Sequence, residues 1–321
     1  MRLFHLLASH DPDSPTGVPR FSGYFKRAFP DVLNITPGTV GLVNWLPGDV
    51  CVTDNHLVML LPPDVRAIVV NHGCAPYHHE VDVAWRNPET DKIVADQHAM
   101  LKRPNTVFVA PSVWVASKFR QIVGATPKDP KGYVVTVIPH WVEENTPTLP
   151  EKVARIARRG GGLSRLIADM SGGPVRAVII GDWRTLNKGS GIIDKYRASL
   201  PQYEFRQLDF PGGDTSKREA FYRAADLYLC LSLSEGAPYS VADAEAASLP
   251  IVSTMVGNCY EFPRDDFYGI AWRMTPDGDI DEAANAIRAA LETGRRTESF
   301  FTSWTFEKWK AAWREVIRAI F

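Results

Sequence analysis

The chain has 321 residues, 45% hydrophobic and 23% charged, with a formal net charge of −1. That length suits two domains of about 150 residues, and the near-neutral balance excludes a global drive toward nucleic acid or an anionic membrane. The cysteines Cys51, Cys74, Cys230 and Cys259 have no paired spacing, which excludes a disulfide or zinc framework and predicts a reduced, cytoplasmic protein.

The opening run "RLFHLLA" (from Arg2) is too short for a signal-peptide core and predicts a first strand. No stretch reaches the roughly 18 apolar residues of a membrane span. Further strands are expected at "VCVTD" (from Val50), "RAIVVNH" (from Arg66), "NTVFVA" (from Asn105) and "YVVTVI" (from Tyr133). Helical patterns fall between them at Arg20–Phe29, Asp91–Leu101 and Val113–Val123. Strands this continuously apolar suit a parallel sheet covered on both faces. Their alternation with helices predicts an α/β doubly wound domain.

From Glu143 to Gly173 the texture changes: Pro147 and Pro150 interrupt the chain, and Gly160–Gly162 form a small low-complexity spot. This stretch reads as an inter-domain connection. A second alternating series follows, through "VRAVIIGD", "YEFRQLDF", "DLYLCLSL", "PIVSTMV" and "GIAWRM". The expected domains are residues 1–145 and 146–300, with 301–321 returning to the first. The last segment carries Phe306, Trp309, Trp313, Ile317 and Ile320 on one helical stripe. Packing on the protein is favoured for that stripe over peripheral membrane docking, which uses the same pattern.

Ligands of open α/β sheets bind beyond the carboxyl ends of the strands. Glu235 sits at that end of "DLYLCLSL", followed by Gly236, Ala237, Pro238 and Tyr239 and a helix with Ser240 as its expected N-cap. Backbone amides and the helix dipole there would favour an anion. Asp243 has two readings of equal standing at this point: a ligand-binding acid, or the partner of Ser240 in a capping box. The loop "GDWRTLNKGSG" places Arg184 and Lys188 at another carboxyl end before a helix, where two cations suit a diphosphate. The loop is neither a P-loop nor a dinucleotide fingerprint. His72 ends the strand "RAIVVNH". His78, His79 and Glu80 suggest a metal by residue type, but on one strand adjacent residues would point apart, and on a loop the question stays open. Asp277 and Asp279 precede a late helix, where turn and N-cap chemistry accounts for them. No metal is expected.

The second half resembles the nucleotide-binding domain of retaining GT-B glycosyltransferases, the family-four-like group around glycogen synthase, sucrose synthase and bacterial mannosyltransferases. "EGAPYSVADAEAASLPIVST" is similar to that family's paired-acid signature, with Asp243 at the second acidic position and Ala237 and Ser248 departing from its usual residues. "IIGDWRTLNKGSG", "FYRAADLYLCLSLSEG" and "VGNCYEF" resemble further segments. In the first half "TGVPRFSGYFKRAF", "VFVAPSVWVASKFRQIVG" and "VTVIPHWVE" do so in the same order.

The resemblance implies two Rossmann-like domains facing across a cleft, a C-terminal helix crossing back, and transfer of a sugar from a UDP- or GDP-linked donor. It implies that Arg184 and Lys188 hold the diphosphate, Glu235 contacts sugar hydroxyls, and the amides of Gly236 to Tyr239 face sugar and phosphates. Asp243 would take the ribose, Gly17 would let the backbone approach the phosphates, and His72 would lie near the reacting sugar. It implies retention of configuration without metal or cofactor. The acceptor stays open between glycan, lipid, small molecule and modified nucleobase. Two other functions remain: a GT-B-fold sugar-nucleotide epimerase or hydrolase, and a non-catalytic sugar-nucleotide-binding subunit.

Overall fold

The computed structural model describes residues 2–8, 17–124, 133–143, 145, 147–158, 176–209, 215–261, 267–270, 279–293 and 304–320. It divides into two compact units. The first comprises Met1–Trp141, Glu235–Ala237 and Thr305–Phe321, and the second Val142–Ser234 and Pro238–Trp304.

The first unit is built on a six-stranded sheet of order β2-β1-β3-β4-β5-β6. Its strands are β1 (Leu3–Leu6), β2 (Leu33–Ile35), β3 (Val50–Asp54), β4 (Arg66–Val70), β5 (Thr106–Ala110) and β6 (Val135–Val137). Every pairing is parallel, with Val52 opposite Ile68 and Val69 opposite Phe108. All of β3 is buried, as a parallel strand covered on both faces should be. Its helices are α1 (Gly17–Ala28), α2 (Ala75–Val81), α3 (Pro88–Met100) and α4 (Val113–Val123). The start of α3 lies three residues before the predicted Asp91, because Asn87 and Thr90 form a reciprocal capping box and Pro88 suits the first turn. The segment containing His78, His79 and Glu80 is helical, neither strand nor loop.

The second unit carries a five-stranded sheet of order β11-β10-β9-β7-β8, again all parallel. In chain order it runs α5 (Leu149–Arg158), β7 (Val178–Gly181), α6 (Ile193–Ser199), β8 (Glu204–Gln207) and α7 (Thr215–Arg223). It continues with β9 (Leu227–Cys230), α8 (Tyr239–Ala246), β10 (Ile251–Thr254), β11 (Phe267–Ile270) and α9 (Ile280–Thr293). The predicted run "GIAWRM" overlaps β11 only at its start, and residues 271–274 lie outside the described residues, as do Gly160–Gly162. Alternate residues of β7 and β9 face opposite cores. Ile179, Leu227 and Leu229 pack with Ala283 and Ile287 of α9, whereas Val178, Ile180, Tyr228 and Cys230 pack with Val241 and Ala244 of α8. The period of two therefore delivers apolar residues to both faces, which is why these strands read as unbroken hydrophobic runs.

Arg155 fastens α5 to this unit. Its buried guanidinium donates to the carbonyls of Arg223 (3.0 Å), Ala247 (2.9 Å) and Tyr222 (3.0 Å). These bonds reach the C-terminal ends of α7 and α8, where helix carbonyls lack intrahelical donors and favour a cation.

The last helix, α10 (Phe306–Ile320), belongs to the first unit. It buries Trp309, Trp313, Val316 and Ile317. The Trp313 ring lies 5.6 Å from Phe21 and 5.2 Å from Phe25, and Arg66 donates to the Ile320 carbonyl at 3.1 Å. The amphipathic stripe thus packs on the protein.

Candidate functional site

The loop leaving β7 gathers the two cations selected from the sequence. Arg184 donates from Nε to Oδ1 of Asp182 at 2.7 Å and from Nη2 to Oδ2 at 3.0 Å. Lys188 Nζ lies 3.6 Å from Oδ2 of the same carboxylate. Burial opposes the charge on Asp182, but the Arg184 hydrogen bonds and the nearby Lys188 and Arg184 charges outweigh it and hold its pKa below the usual carboxylate range. The Arg184 side chain remains 56% exposed, so its outer face is open to a ligand. A short 3₁₀ turn, Leu186–Lys188, ends at Gly189 with φ +94°, a left-handed conformation that a Cβ would strain. Any Cβ there would also press on Leu231.

Asn187 ties this loop to the one after β9. Its buried side chain donates to the Ser234 carbonyl at 3.0 Å, and its own carbonyl accepts from Leu233 N at 2.8 Å. Thr254 at the end of β10 donates to the Ser232 carbonyl at 2.5 Å. The backbone leading to Glu235 is therefore held from two neighbouring strand ends of the sheet.

Pro238, not Ser240, is the N-cap of α8. The expected capping box with Asp243 is therefore absent: Ser240 lies inside the first turn, and its side chain is hydrogen-bonded to the Tyr228 phenol. Burial raises the pKa of that phenol well above its ordinary value and keeps it protonated. Asp243 is buried and pairs instead with Arg218 of α7, at 3.7 Å from its Nε. Tyr239 is buried as well.

In the first unit, His72 lies just beyond β4, and its Nε2 is 2.9 Å from Oδ1 of Asp54, the last residue of β3. His5 Nε2 stands 3.7 Å from the same oxygen, an ion-pair distance too long for a good hydrogen bond. Burial alone would raise the Asp54 pKa; His5 and His72 outweigh it and bring the value down to about 2. His140 lies 5.5 Å from His72, ring to ring, and burial drives its pKa well below the ordinary imidazole value, with smaller contributions from His72 and Arg20.

The tripeptide Glu235–Ala237 also belongs to this unit. Ser112 caps α4 and donates from Oγ to the Gly236 carbonyl at 2.7 Å. A Cβ on Gly236 would run into the His72 carbonyl, so only glycine fits. Gly17 is different: it is the exposed first residue of α1, with open space where a Cβ would stand. Among the described residues nothing demands glycine there.

Among the described residues no group of three or more His, Cys, Asp or Glu side chains could hold a metal. His79 instead pairs with Asp91 at 2.7 Å. Asp279 accepts from Glu282 N at 3.0 Å, as an N-cap does, and Asp277 lies outside the described residues. All four cysteines are buried, and none forms a disulfide. No helix of the described residues is long and apolar enough to cross a membrane.

Three polar residues of this architecture were not singled out from the sequence. Asp182 and Asp54 each stand at the carboxyl end of a parallel strand, the same positional signal that selected His72. Arg218 meets Asp243 across α7 and α8, 25 residues apart in sequence, and no local pattern announces it.

Residues 162–293 match the family described as glycosyl transferases group 1. No curated protein sequence matches the chain. Among solved structures, the chain is similar to the sucrose-phosphate synthase of Thermosynechococcus elongatus. That match has TM-score 0.62 at 14% identity and covers 100% of this chain and 95% of that one. It is also similar to the GtfA/B complex, with TM-score 0.58, 15% identity and coverage of 88% and 59%. The pneumococcal O-GlcNAc transferase GtfA, solved with UDP and GlcNAc, gives TM-score 0.51, 14% identity and coverage of 88% and 59%. The chain thus spans 59% of the length of these last two. At such identities the likeness shows the fold: two parallel α/β sheets matching GT-B glycosyltransferase structures.

Proposed function

We propose that this chain is a glycosyltransferase that moves a sugar from a nucleoside-diphosphate sugar to an acceptor hydroxyl, with retention of configuration and without metal. The observation that carries the reading is the convergence of Arg184 and Lys188 on one carboxylate at the end of β7, within the segment that matches group 1 glycosyl transferases. Cleaving a glycosyl phosphate builds an oxocarbenium-like sugar and pushes negative charge onto the leaving diphosphate. Fixed cations aimed at that charge are the largest catalytic contribution such a site can make. Arg184 and Lys188 fill that role in this reading, and the departing phosphate oxygen takes the acceptor proton on the same face, which gives retention without a protein nucleophile.

Glu235 serves the donor sugar hydroxyls and Asp243 the ribose, while Gly236 to Ser240 and Gly17 give backbone access to sugar and phosphates. His72, held by Asp54, lies near the reacting sugar. UDP- and GDP-linked sugars are the donors of choice; the pneumococcal GtfA structure holding UDP and GlcNAc supports testing UDP first. The acceptor is a glycan, lipid, small molecule or modified nucleobase, and the protein works in the cytoplasm, with peripheral membrane contact the less favoured option.

One observation favours a second reading. Asp243 is already engaged by Arg218, which suits a non-catalytic sugar-nucleotide-binding subunit as well as a transferase. A thermal-shift panel of UDP- and GDP-sugars, followed by donor turnover with and without acceptors, separates the readings. Transfer needs an acceptor, hydrolysis or epimerisation does not, and a binding subunit shows a shift without turnover. Arg184→Ala and Lys188→Ala should each weaken UDP or GDP binding by about 1.5 kcal/mol, the low end for bonds to charged groups because Arg184 is half exposed. Nucleoside binding should be nearly unaffected. Equal losses for nucleoside and diphosphate would refute the assignment of both cations.

A further inference from the structure

We propose that Asp182 is an internal counter-ion that competes with the donor's diphosphate for Arg184 and Lys188, and so limits how tightly nucleoside diphosphates are held. The inference rests on the reading that these two cations meet the phosphates. The geometry behind it is specific. Asp182 grips Arg184 through both carboxylate oxygens, at 2.7 and 3.0 Å, and stands 3.6 Å from Lys188 Nζ. The Asp182 side chain is only 10% exposed, while Arg184 is 56% exposed. Gln207 borders the carboxylate: its Nε2 donates to the Leu208 carbonyl at 2.9 Å and lies 3.5 Å from Oδ1, and its Oε1 accepts from Trp183 N at 3.0 Å.

A carboxylate in this place has two opposite effects on an arriving diphosphate. It pre-sets the Arg184 fork, which helps. It also places a negative charge within a few ångströms of the phosphates and leaves the loop with one net positive charge from this trio instead of two. Orientation by a half-exposed ion pair accounts for at most about a fivefold effect. Like-charge repulsion at roughly 5 Å, with screening intermediate between water and protein interior, amounts to about ten- to hundredfold. Repulsion is the larger effect, so the net role of Asp182 is to loosen the diphosphate. That is useful in a transferase, whose product nucleoside diphosphate carries more charge than the donor and must leave before the next turnover. A residue that merely braced the loop would have the opposite signature, because losing a brace can weaken binding but cannot tighten it.

The test is isothermal titration of the full chain with UDP, GDP, uridine and guanosine, for the wild type, Asp182→Asn and Asp182→Ser, at low and high salt. The expected result is UDP or GDP binding about ten- to hundredfold tighter in both variants, unchanged nucleoside binding, and a steeper loss of affinity with salt. Diphosphate binding that is unchanged or weaker in folded variants overturns the proposal. So does failure of both variants to fold, since Asp182 would then be a structural residue of the loop. A wild type that binds uridine as tightly as UDP, and guanosine as tightly as GDP, sinks the proposed function itself. A wild type that prefers the diphosphate, with no gain in the variants, sinks only the present inference.

Discussion

Replacing Asp54 by Asn keeps the size of the side chain and an acceptor for His72 but removes the charge at the centre of the first unit's histidine cluster. Folding lowers the Asp54 pKa from 3.8 to about 2, and each pKa unit corresponds to 1.36 kcal/mol. The charged carboxylate therefore contributes about 2 kcal/mol to stability at neutral pH, a large share of the 5–15 kcal/mol typical of a domain. Because the folded value lies below the unfolded one, this contribution is complete above pH 3.8 and disappears as the pH falls through about 2. Urea unfolding followed by tryptophan fluorescence reads it well, since Trp309 and Trp313 lie buried in the same unit. Asp54→Asn should lose about 2 kcal/mol at pH 7, and the gap to the wild type should narrow from about pH 4 downward. Equal stability at pH 7, or a gap of constant size along the acid series, would refute the assignment of Asp54 as a stabilising buried anion.

His140→Gln should flatten the wild-type stability curve below about pH 6.5. Its folded pKa lies well under the ordinary value, so the unfolded chain takes up a proton first and acid erodes stability; urea midpoints at pH 7 and pH 5 check this. Arg155→Ala removes the donor from the carbonyls of Arg223, Ala247 and Tyr222 and should cost about 2–4 kcal/mol, seen as a lower melting temperature of the second unit. Asp243→Ala should leave the start of α8 intact, because Pro238 caps that helix. A ribose role for Asp243 then appears in titrations as weaker uridine and UDP binding alike, whereas unchanged affinity would restrict the residue to its pair with Arg218.

The alternation of strands and helices was legible because both sheets are parallel and covered on two faces. Val50–Asp54 and Leu227–Cys230 are buried throughout, so their sequences are apolar without interruption and bounded by polar turns. The final helix was legible for a similar reason, since the spacing of Trp309, Trp313 and Ile317 puts them on one stripe, which the fold buries. What failed was the fine placement of polar groups. Ser240 and Asp243 satisfy a capping pattern by spacing alone, but that pattern cannot tell whether the serine precedes the helix or lies within it. The decision came from Pro238, whose restricted φ of −64° suits the cap position, and from Tyr228, a buried phenol on the preceding strand that engages Ser240.

Asp182 exposes a deeper limit of reading function from residue types. Two basic residues spaced four apart beyond a strand suggest a phosphate site, and that pattern leaves out the acid beside them. In the fold that acid is the partner of both cations. The charge available to a ligand is therefore set by the trio, not by the pair that resembles a motif. The same holds in the first unit, where His72 drew notice at a strand end while Asp54, at the neighbouring strand end, fixes its environment. Parallel topology is the common cause. It brings the residues that follow successive strands to one edge of the sheet, so an acid and a base far apart in sequence, or two residues apart in a loop, become partners before any substrate arrives. A motif names the groups that can meet a ligand; the sheet edge decides what each of them must release in order to do so.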